Sequence, residues 1–163
     1  KKIAVSGTAA SRAMELIGAS PTSMSSGDLY VALQRGTIDA TSRPLITGIG
    51  RKLYEVLDNV TVVNMSYFAT ALAINLDTWN KLPADIQKIM QEAANERGQQ
   101  QLEMLESYMA EAEALFEKNK VNYHVATKDE LGTFQTAVNP VYDWWKTQVP
   151  DADKYIEFAK KNQ

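Results

Sequence analysis

The sequence predicts an α/β fold in which a parallel sheet is flanked by helices and joined to one unusually long helix. Short strand-like and helical segments alternate through the first third of the chain, and one helical pattern runs from Pro83 to about Lys118. Strands separated by helices imply parallel pairing with right-handed crossovers. The 163 residues are 45% hydrophobic and 23% charged, which is ordinary for a globular protein with a packed core.

Three strands and three helices are predicted within the first 57 residues. The strands cover residues 3–5, 21–24 and 37–41, and the helices cover residues 10–17, 29–35 and 46–57. Gly18 and Gly36 follow the first two helices, at the position where glycine commonly ends a helix. Ser25 and Asp28 stand three apart ahead of the second helix, a spacing that predicts a capping box.

An extended segment is predicted from Val60 to Ile74, because β-branched and aromatic residues are concentrated there. One long strand or two joined strands would fit this segment. Tyr67 and Phe68 occupy neighbouring positions in it, so their side chains are expected to point to opposite faces. At most one of the two is therefore expected to line a binding cleft, and the other to lie in the core.

The helical pattern after Pro83 is the most informative feature of the sequence. Apolar residues form one stripe through Ile86 and Met90, and the stripe resumes after Gly98. A helix of this extent is about 50 Å long at 1.5 Å per residue, which exceeds the diameter of a small domain. It is therefore either half of a coiled coil or a brace between two lobes. The stripe does not follow a clean heptad, which favours the brace.

The end of the chain is predicted to contribute one more strand and then helices. A strand at residues 122–126 precedes Thr127 and Glu130, which form a second capping-box pattern. Pro140 falls inside the helix that follows and is expected to kink or split it. Pro150 precedes a last short amphipathic helix.

The composition disfavours several classes of function. The net charge of −3 gives no general attraction to nucleic acid, and no stretch of about 18 apolar residues could span a bilayer. Cysteine is absent, no carboxylate cluster has calcium-loop spacing, and no serine lies in a nucleophile-elbow motif. His124 is the only histidine, has no apparent partner, and is interpreted as structural or surface-exposed. We therefore expect neither an enzyme nor a resident metal or cofactor.

A ligand-binding edge is predicted where the first three strands end. In an open parallel sheet, ligands collect beyond the carboxyl ends of the strands. Those places carry small or hydroxyl-bearing residues, among them Ser6, Ser26 and Thr41. Arg43 adds a fixed charge and a bidentate fork for a carboxylate. The alternative interpretation is that the serines are ordinary helix caps and Arg43 is a surface ion-pair partner.

Several motifs, in order along the chain, carry a resemblance to one family. They are residues 18–22 (GASPT) leading to Met24, 28–39 (DLYVALQRGTID), 52–56 (KLYEV) and 79–89 (WNKLPADIQKI). Together they resemble the substrate-binding subunit of TRAP (tripartite ATP-independent periplasmic) transporters. The resemblance covers essentially the whole chain, and several motifs together are far more specific than any one alone.

The resemblance implies a periplasmic-binding-protein-like lobe, one of two α/β lobes hinged around a cleft and braced by the long helix. Residues 1–66 and about 119–163 would form the second lobe. Residues from about 67 to 118 would contribute a strand and the long helix shared with an N-terminal lobe that is missing from this chain. The chain alone would then expose apolar surface and could form a dimer.

The resemblance also implies a function without chemistry. Such a protein captures a small solute, here one that bears a carboxylate, by hinge closure outside the cytoplasm and delivers it to a membrane permease. The expected location is the periplasm, and the expected partners are an organic acid, the permease subunits and the missing lobe, with no nucleic acid. Two alternatives from other classes stay open: an effector-sensing domain of a transcription regulator and a helix-mediated interaction protein.

The sequence departs from the family at three positions of the implied site. Members commonly carry an arginine in the first strand of this lobe, where this chain has Ala4, and an asparagine before the proline that ends the third strand, where it has Arg43. Ser26 stands where an aromatic residue is common. Our hypothesis is that the cation has moved across the cleft to Arg43. Carboxylate binding would then be kept with altered geometry, in a different or roomier pocket.

Overall fold

The computed structural model describes residues 1–64 and 71–161. Within these residues, five strands alternate with nine α-helices and one 3₁₀ turn, Leu53–Glu55. The strands are β1 (Lys2–Val5), β2 (Ser20–Ser23), β3 (Ala40–Thr41), β4 (Asn59–Val62) and β5 (Asn122–Val125). The helices are α1 (Thr8–Leu16), α2 (Leu29–Gln34), α3 (Leu45–Gly50), α4 (Leu76–Lys81), α5 (Ala84–Glu103), α6 (Leu105–Lys118), α7 (Lys128–Val138), α8 (Pro140–Lys146) and α9 (Ala152–Lys161). Of the helices described, none is both long and apolar enough to cross a membrane.

The strands form two small sheets in which every pair of neighbours is parallel. One sheet has the order β2-β1-β3 and the other joins β4 to β5. This confirms the predicted α/β class with a parallel sheet. Pro21 lies opposite Ile3 in β2, which is an edge strand of the first sheet. An edge tolerates proline because its missing N–H need not serve a second neighbour.

The first core cluster lies between β1 and α2. Ala4, Leu29 and Leu53 are fully or almost fully buried in it, together with Ala32 and Ile38. Leu29 and Ala32 are three residues apart, so they share the face of α2 that covers the sheet. Removing a leucine side chain from water stabilises a fold by roughly 1.5–3 kcal/mol, which explains why so short a helix is held in place.

The second core cluster joins α6 to α3 and to the second sheet. Phe116 is only 1% exposed and lies beside Ala112 and Val121. Its ring meets Tyr54 edge-on at 6.4 Å between ring centroids and is tilted against Tyr123 at 6.2 Å. A Cβ on Gly48 of α3 would lie 2.8 Å from Cζ of Phe116, so the close approach of α3 and α6 requires glycine there.

The predicted long helix is present as α5 and α6, which are separated by the single residue Met104. The hydrogen-bond ladder continues through that residue, because its N–H donates to the carbonyl of Gln100 and its carbonyl accepts from the N–H of Tyr108, each at 3.0 Å. Gly98, where the apolar stripe was diluted, lies inside α5 without interrupting it. Of the 20 residues of α5 none is buried, whereas α6 contributes Ala112 and Phe116 to the second core.

The two predicted capping boxes have opposite outcomes. At the start of α7, the Thr127 hydroxyl accepts the N–H of Glu130 and the Glu130 carboxylate accepts the N–H of Thr127, so this capping box is confirmed. The hydrogen bond from the Thr127 backbone, with a further bond from His124, lowers the pKa of Glu130 to about 2. The box predicted at Ser25 and Asp28 is wrong. Ser25 Oγ instead accepts the N–H of Gly27 at 3.2 Å, inside a tight turn that precedes α2.

Two predicted elements are shorter than expected, and one proline acts as expected. The helix predicted over residues 46–57 ends at Gly50, because Lys52 adopts a left-handed conformation with φ of 53° before the 3₁₀ turn. Of the extended segment predicted from Val60, only β4 is a strand among the described residues, and Tyr67 and Phe68 lie outside them. Pro140 divides α7 from α8, as predicted, and occupies the first turn of α8.

Candidate functional site

The carboxyl ends of β1, β2 and β3 lie at one edge of the first sheet, because the three strands are parallel. Ser6 follows β1, the segment 24–28 follows β2, and Ser42 and Arg43 follow β3. We call these residues the strand-end edge. Ligands of open parallel sheets bind beyond such an edge, where the loops that lead to the helices leave polar groups free.

The side chain of Arg43 extends from β3 across the middle strand to the end of β2. Its Nη2 atom donates to the carbonyl oxygen of Val5 at 3.0 Å and to that of Met24 at 2.6 Å. Its Nη1 atom donates to the carbonyl oxygen of Ser42 at 3.3 Å. The guanidinium therefore connects the ends of all three strands and lies over the centre of the strand-end edge.

The charge of Arg43 has no ionised counterpart in the part of the chain that the structure describes. The residue takes part in none of the ion pairs between described residues. It is half-buried, and this burial lowers the pKa of its guanidinium, although arginine stays charged at any physiological pH. Carbonyl dipoles offset part of the cost of burying the cation without neutralising it. Arg43 therefore forms no surface ion pair with another described residue.

In this conformation, the guanidinium of Arg43 cannot donate two parallel hydrogen bonds to one carboxylate. A guanidinium offers two forks, one formed by Nε and Nη2 and the other by Nη1 and Nη2. Nη2 carries two hydrogens, and it already has two carbonyl acceptors, Val5 and Met24. In each fork, therefore, one of the two donor atoms, Nη2, already has its hydrogens bonded. The N–H of Nε and one N–H of Nη1 remain without an acceptor among the described residues.

The hydroxyl residues predicted for the site are brought to the same edge as Arg43. Ser6 is exposed directly after β1, and Ser26 is half-buried in the loop after β2. Neither serine caps a helix: the N-cap residues of α1 and α2 are Gly7 and Asp28. The interpretation of these serines as ordinary caps is therefore wrong.

Thr41 is half-buried, and its hydroxyl donates to the carbonyl oxygen of Ala4 at 3.2 Å. It therefore supports the sheet and keeps only its oxygen for a ligand. Ala4, the position that matches the family's arginine, is fully buried in the first core cluster. A cation supplied from Arg43 thus reaches the carboxyl end of β1, where the strand itself has only the apolar residues Ala4 and Val5. Sequence reasoning missed the carbonyl groups of Val5 and Met24, since every residue has one and only the fold decides which converge.

A metal site would need a cluster of histidine or carboxylate side chains. Among the described residues, no group of three or more histidine, aspartate or glutamate side chains could hold a metal ion. His124 does have a partner, because its Nε2 lies 2.9 Å from Oε2 of Glu130. Both side chains are about half exposed, so the pair supports the start of α7 at the surface.

The described residues combine a small parallel α/β sheet, a guanidinium over the ends of its strands and a long helix. Residues 2–148 match the sequence model of the bacterial extracellular solute-binding protein family 7. The chain belongs to this family. The resemblance to TRAP solute-binding proteins is thereby confirmed, and so is the expectation that the chain is not an enzyme, since its relatives are solute-binding proteins.

Other solute-binding proteins resemble this chain both in sequence and in fold. The sialic acid-binding periplasmic protein of Vibrio cholerae is 31% identical over 128 residues, which are 78% of this chain and 39% of that protein. A TRAP periplasmic solute-binding protein of Ralstonia eutropha, solved with bound (S)-2-acetolactate, is 26% identical with a TM-score of 0.82 over 99% of this chain and 54% of that one. The ectoine-binding protein of Halomonas elongata has a TM-score of 0.85 at 23% identity, over 95% of this chain and 52% of that one. The chain thus spans between two-fifths and about half of the length of these relatives.

Proposed function

We propose that this chain forms the lobe of a periplasmic solute-binding protein that holds the carboxylate of a small organic acid at Arg43. Closure of two lobes around the solute would then present it to a TRAP-type membrane permease. A ligand favours the closed state only by its differential affinity for that state, so contacts with both lobes are required.

The observation that carries the proposal is the position of the guanidinium. It is half-buried over the centre of the strand-end edge and has no carboxylate partner among the described residues. A half-buried cation without a counter-charge favours an anionic ligand, because the negative charge of the ligand compensates for the hydration that burial removed. The relatives support the same chemistry: sialic acid, ectoine and acetolactate, which their names and structures specify, each carry one carboxylate.

The first test is a comparison of acids with matched neutral compounds. Sialic acid, ectoine and (S)-2-acetolactate are titrated into the protein by calorimetry, alongside the methyl ester of sialic acid and acetoin, which lacks the carboxylate of acetolactate. We expect an acid to bind at least about tenfold more tightly than its neutral counterpart, the scale of a charge-assisted hydrogen bond. Equal affinity for acid and neutral compound would exclude a carboxylate site.

We further propose that an N-terminal lobe of the same protein covers a groove between α4 and α5. The groove has a volume of about 290 Å³ and is lined mainly by apolar side chains, which are Leu72, Ile74, Leu76, Trp79, Met90 and Ala94. Leu72 is 84% exposed and Leu76 is 68% exposed, which is costly for a surface that stays in water. The length of the relatives, about twice that of this chain, supports a further lobe of the same protein as the occupant.

Replacing Leu76 by lysine tests this proposal. In a form that includes the N-terminal lobe, we expect the free energy of unfolding to fall by about 2 kcal/mol or more, since a buried leucine contributes roughly that amount. In residues 1–163 alone we expect no loss of stability and a weaker tendency to dimerise, measured by urea unfolding and gel filtration. Ile46 of α3 is also about half exposed, so Ile46→Lys serves as the matched control. Equal effects of L76K in both forms would mean that the groove stays open to solvent.

A further inference from the structure

Building on the proposed function, we propose that a ligand carboxylate which grips Arg43 with both oxygens displaces the carbonyl of Met24 and releases the loop formed by residues 24–28. Capture of the ligand is thereby coupled to loosening of the segment between β2 and α2. The inference rests on three features: the occupied forks of the guanidinium, the unequal freedom of its two carbonyl partners, and the small number of bonds that hold the loop.

Because both forks already donate to carbonyl groups, a carboxylate must displace one of these carbonyl groups to form two hydrogen bonds with Arg43. Every two-point contact of a carboxylate with a guanidinium uses a hydrogen of Nη2, and Nη2 already donates to Val5 and Met24. A carboxylate oxygen is a stronger acceptor than a neutral carbonyl oxygen, since hydrogen bonds between two ionised groups are the stronger kind. The ligand therefore replaces one of the two carbonyl groups rather than adding to them.

The carbonyl group that the ligand displaces is that of Met24. Val5 is fully buried at the end of β1, the central strand of its sheet, and its position is fixed by the pairing with Ser23 of β2. Met24 lies one residue beyond the end of β2 and is only half-buried, so its carbonyl group can turn without breaking the ladder between strands. The third acceptor, Ser42, bonds to Nη1 at 3.3 Å and does not block a fork through Nε.

The ends of the loop have two other contacts: the Met24 side chain packs against the first core cluster, and the Asp28 carbonyl accepts the N–H of Ala32 in α2 at 3.0 Å. The bond between Arg43 and Met24, at 2.6 Å, is the one side-chain hydrogen bond among the described residues that ties residues 24–28 to another strand or loop. Inside the loop, the N–H of Gly27 donates to Ser25 Oγ at 3.2 Å and the N–H of Asp28 donates to the Ser25 carbonyl at 3.1 Å. Once the Met24 carbonyl is released, these two turn bonds lose the anchor that orients them.

Hydrogen exchange measures the release directly. The backbone amides of Gly27 and Asp28 are followed in the intact protein, first without ligand and then with saturating sialic acid, ectoine or (S)-2-acetolactate. We expect these two amides to exchange about tenfold faster with a bound acid, since they lose a charge-assisted anchor, while amides elsewhere are protected by binding. This sign is opposite to the general protection that a ligand gives a folded protein.

The variant Arg43→Lys tests, without any ligand, whether the loop depends on the guanidinium. An ammonium group keeps the charge but cannot bridge two carbonyl groups in the fixed plane of a guanidinium. We expect Gly27 and Asp28 of R43K to exchange about tenfold faster than wild type before any ligand is added, and to show no further increase with an acid. Arg51→Ala, at the far end of α3, should behave as wild type.

The outcomes separate this inference from the proposed function. An acid that binds while Gly27 and Asp28 keep their exchange rates, or become protected, would overturn the exchange of partners and leave carboxylate capture standing. Unchanged amides in ligand-free R43K would overturn it as well, since the loop would not depend on Arg43. If none of the three acids binds, the proposed function is overturned and the inference falls with it.

Discussion

Replacing Phe116 by alanine is expected to lower the free energy of unfolding by about 3–5 kcal/mol. The side chain is 1% exposed and fills the space where α3, α6 and the second sheet meet. Alanine would remove a ring in contact with Tyr54 and Tyr123 and leave a cavity beside Gly48, which has no side chain with which to fill it. Urea unfolding followed by far-UV circular dichroism measures the change.

Two further variants show that the effect belongs to this position. Phe116→Leu keeps most of the apolar volume and should cost clearly less than alanine. Phe134→Ala, on α7 and only half-buried, is the matched control for loss of an aromatic ring. A loss below about 1 kcal/mol in F116A would contradict the description of α6 as part of the core of this lobe.

The class of fold was accessible from the sequence because it depends on patterns that act locally. Alternation of strand-like and helical segments predicted parallel pairing, which all three strand pairs show. Thr127 and Glu130 predicted their capping box, because both partners lie within one turn and need no distant contact. Pro140 likewise divides two helices through its own ring and missing N–H.

One error comes from a competing local bond and another from a tertiary contact. Ser25 and Asp28 have the spacing of a capping box, but Ser25 Oγ accepts the N–H of Gly27 within the loop instead. The helix predicted through residue 57 breaks at Lys52, which places Leu53 in the first core cluster. The burial of one leucine outweighs the modest cost of a left-handed lysine.

The sequence predicted where the candidate site residues lie in the fold, but not which groups they bond to. Topology alone places Ser6, Ser26 and Arg43 at one edge, since parallel strands end on the same side. The roles of the Val5 and Met24 carbonyl groups were not predictable, because backbone acceptors carry no signal in the sequence. The free bidentate fork expected of Arg43 is absent for the same reason: its acceptors come from strands far away in the sequence.

Replacing Arg43 by alanine is expected to weaken the binding of a carboxylate ligand by about 10- to 100-fold, as loss of a hydrogen bond between charged groups predicts. Alanine removes the only positive charge at the strand-end edge among the described residues and leaves Val5 and Met24 without their donor. Stability should therefore fall together with affinity, by about 1–3 kcal/mol. Calorimetric titration with sialic acid, ectoine and (S)-2-acetolactate measures the affinity, and urea unfolding without ligand measures the stability.

A double comparison separates the contact with the ligand from the effect on the sheet. Sialic acid and its methyl ester are titrated into wild type and into Arg43→Ala. The loss of binding free energy caused by the substitution is measured for the acid and for the ester, and the difference between these two losses isolates the interaction between guanidinium and carboxylate. We expect R43A to lose affinity for the acid and little affinity for the ester, and R43K to recover part of the loss. Equal losses for acid and ester would mean that Arg43 acts on the ligand only by holding the ends of β1 and β2 together. An acid affinity unchanged in R43A would exclude the guanidinium from the site, because a fixed charge over the strand ends cannot be removed without effect if the carboxylate binds there.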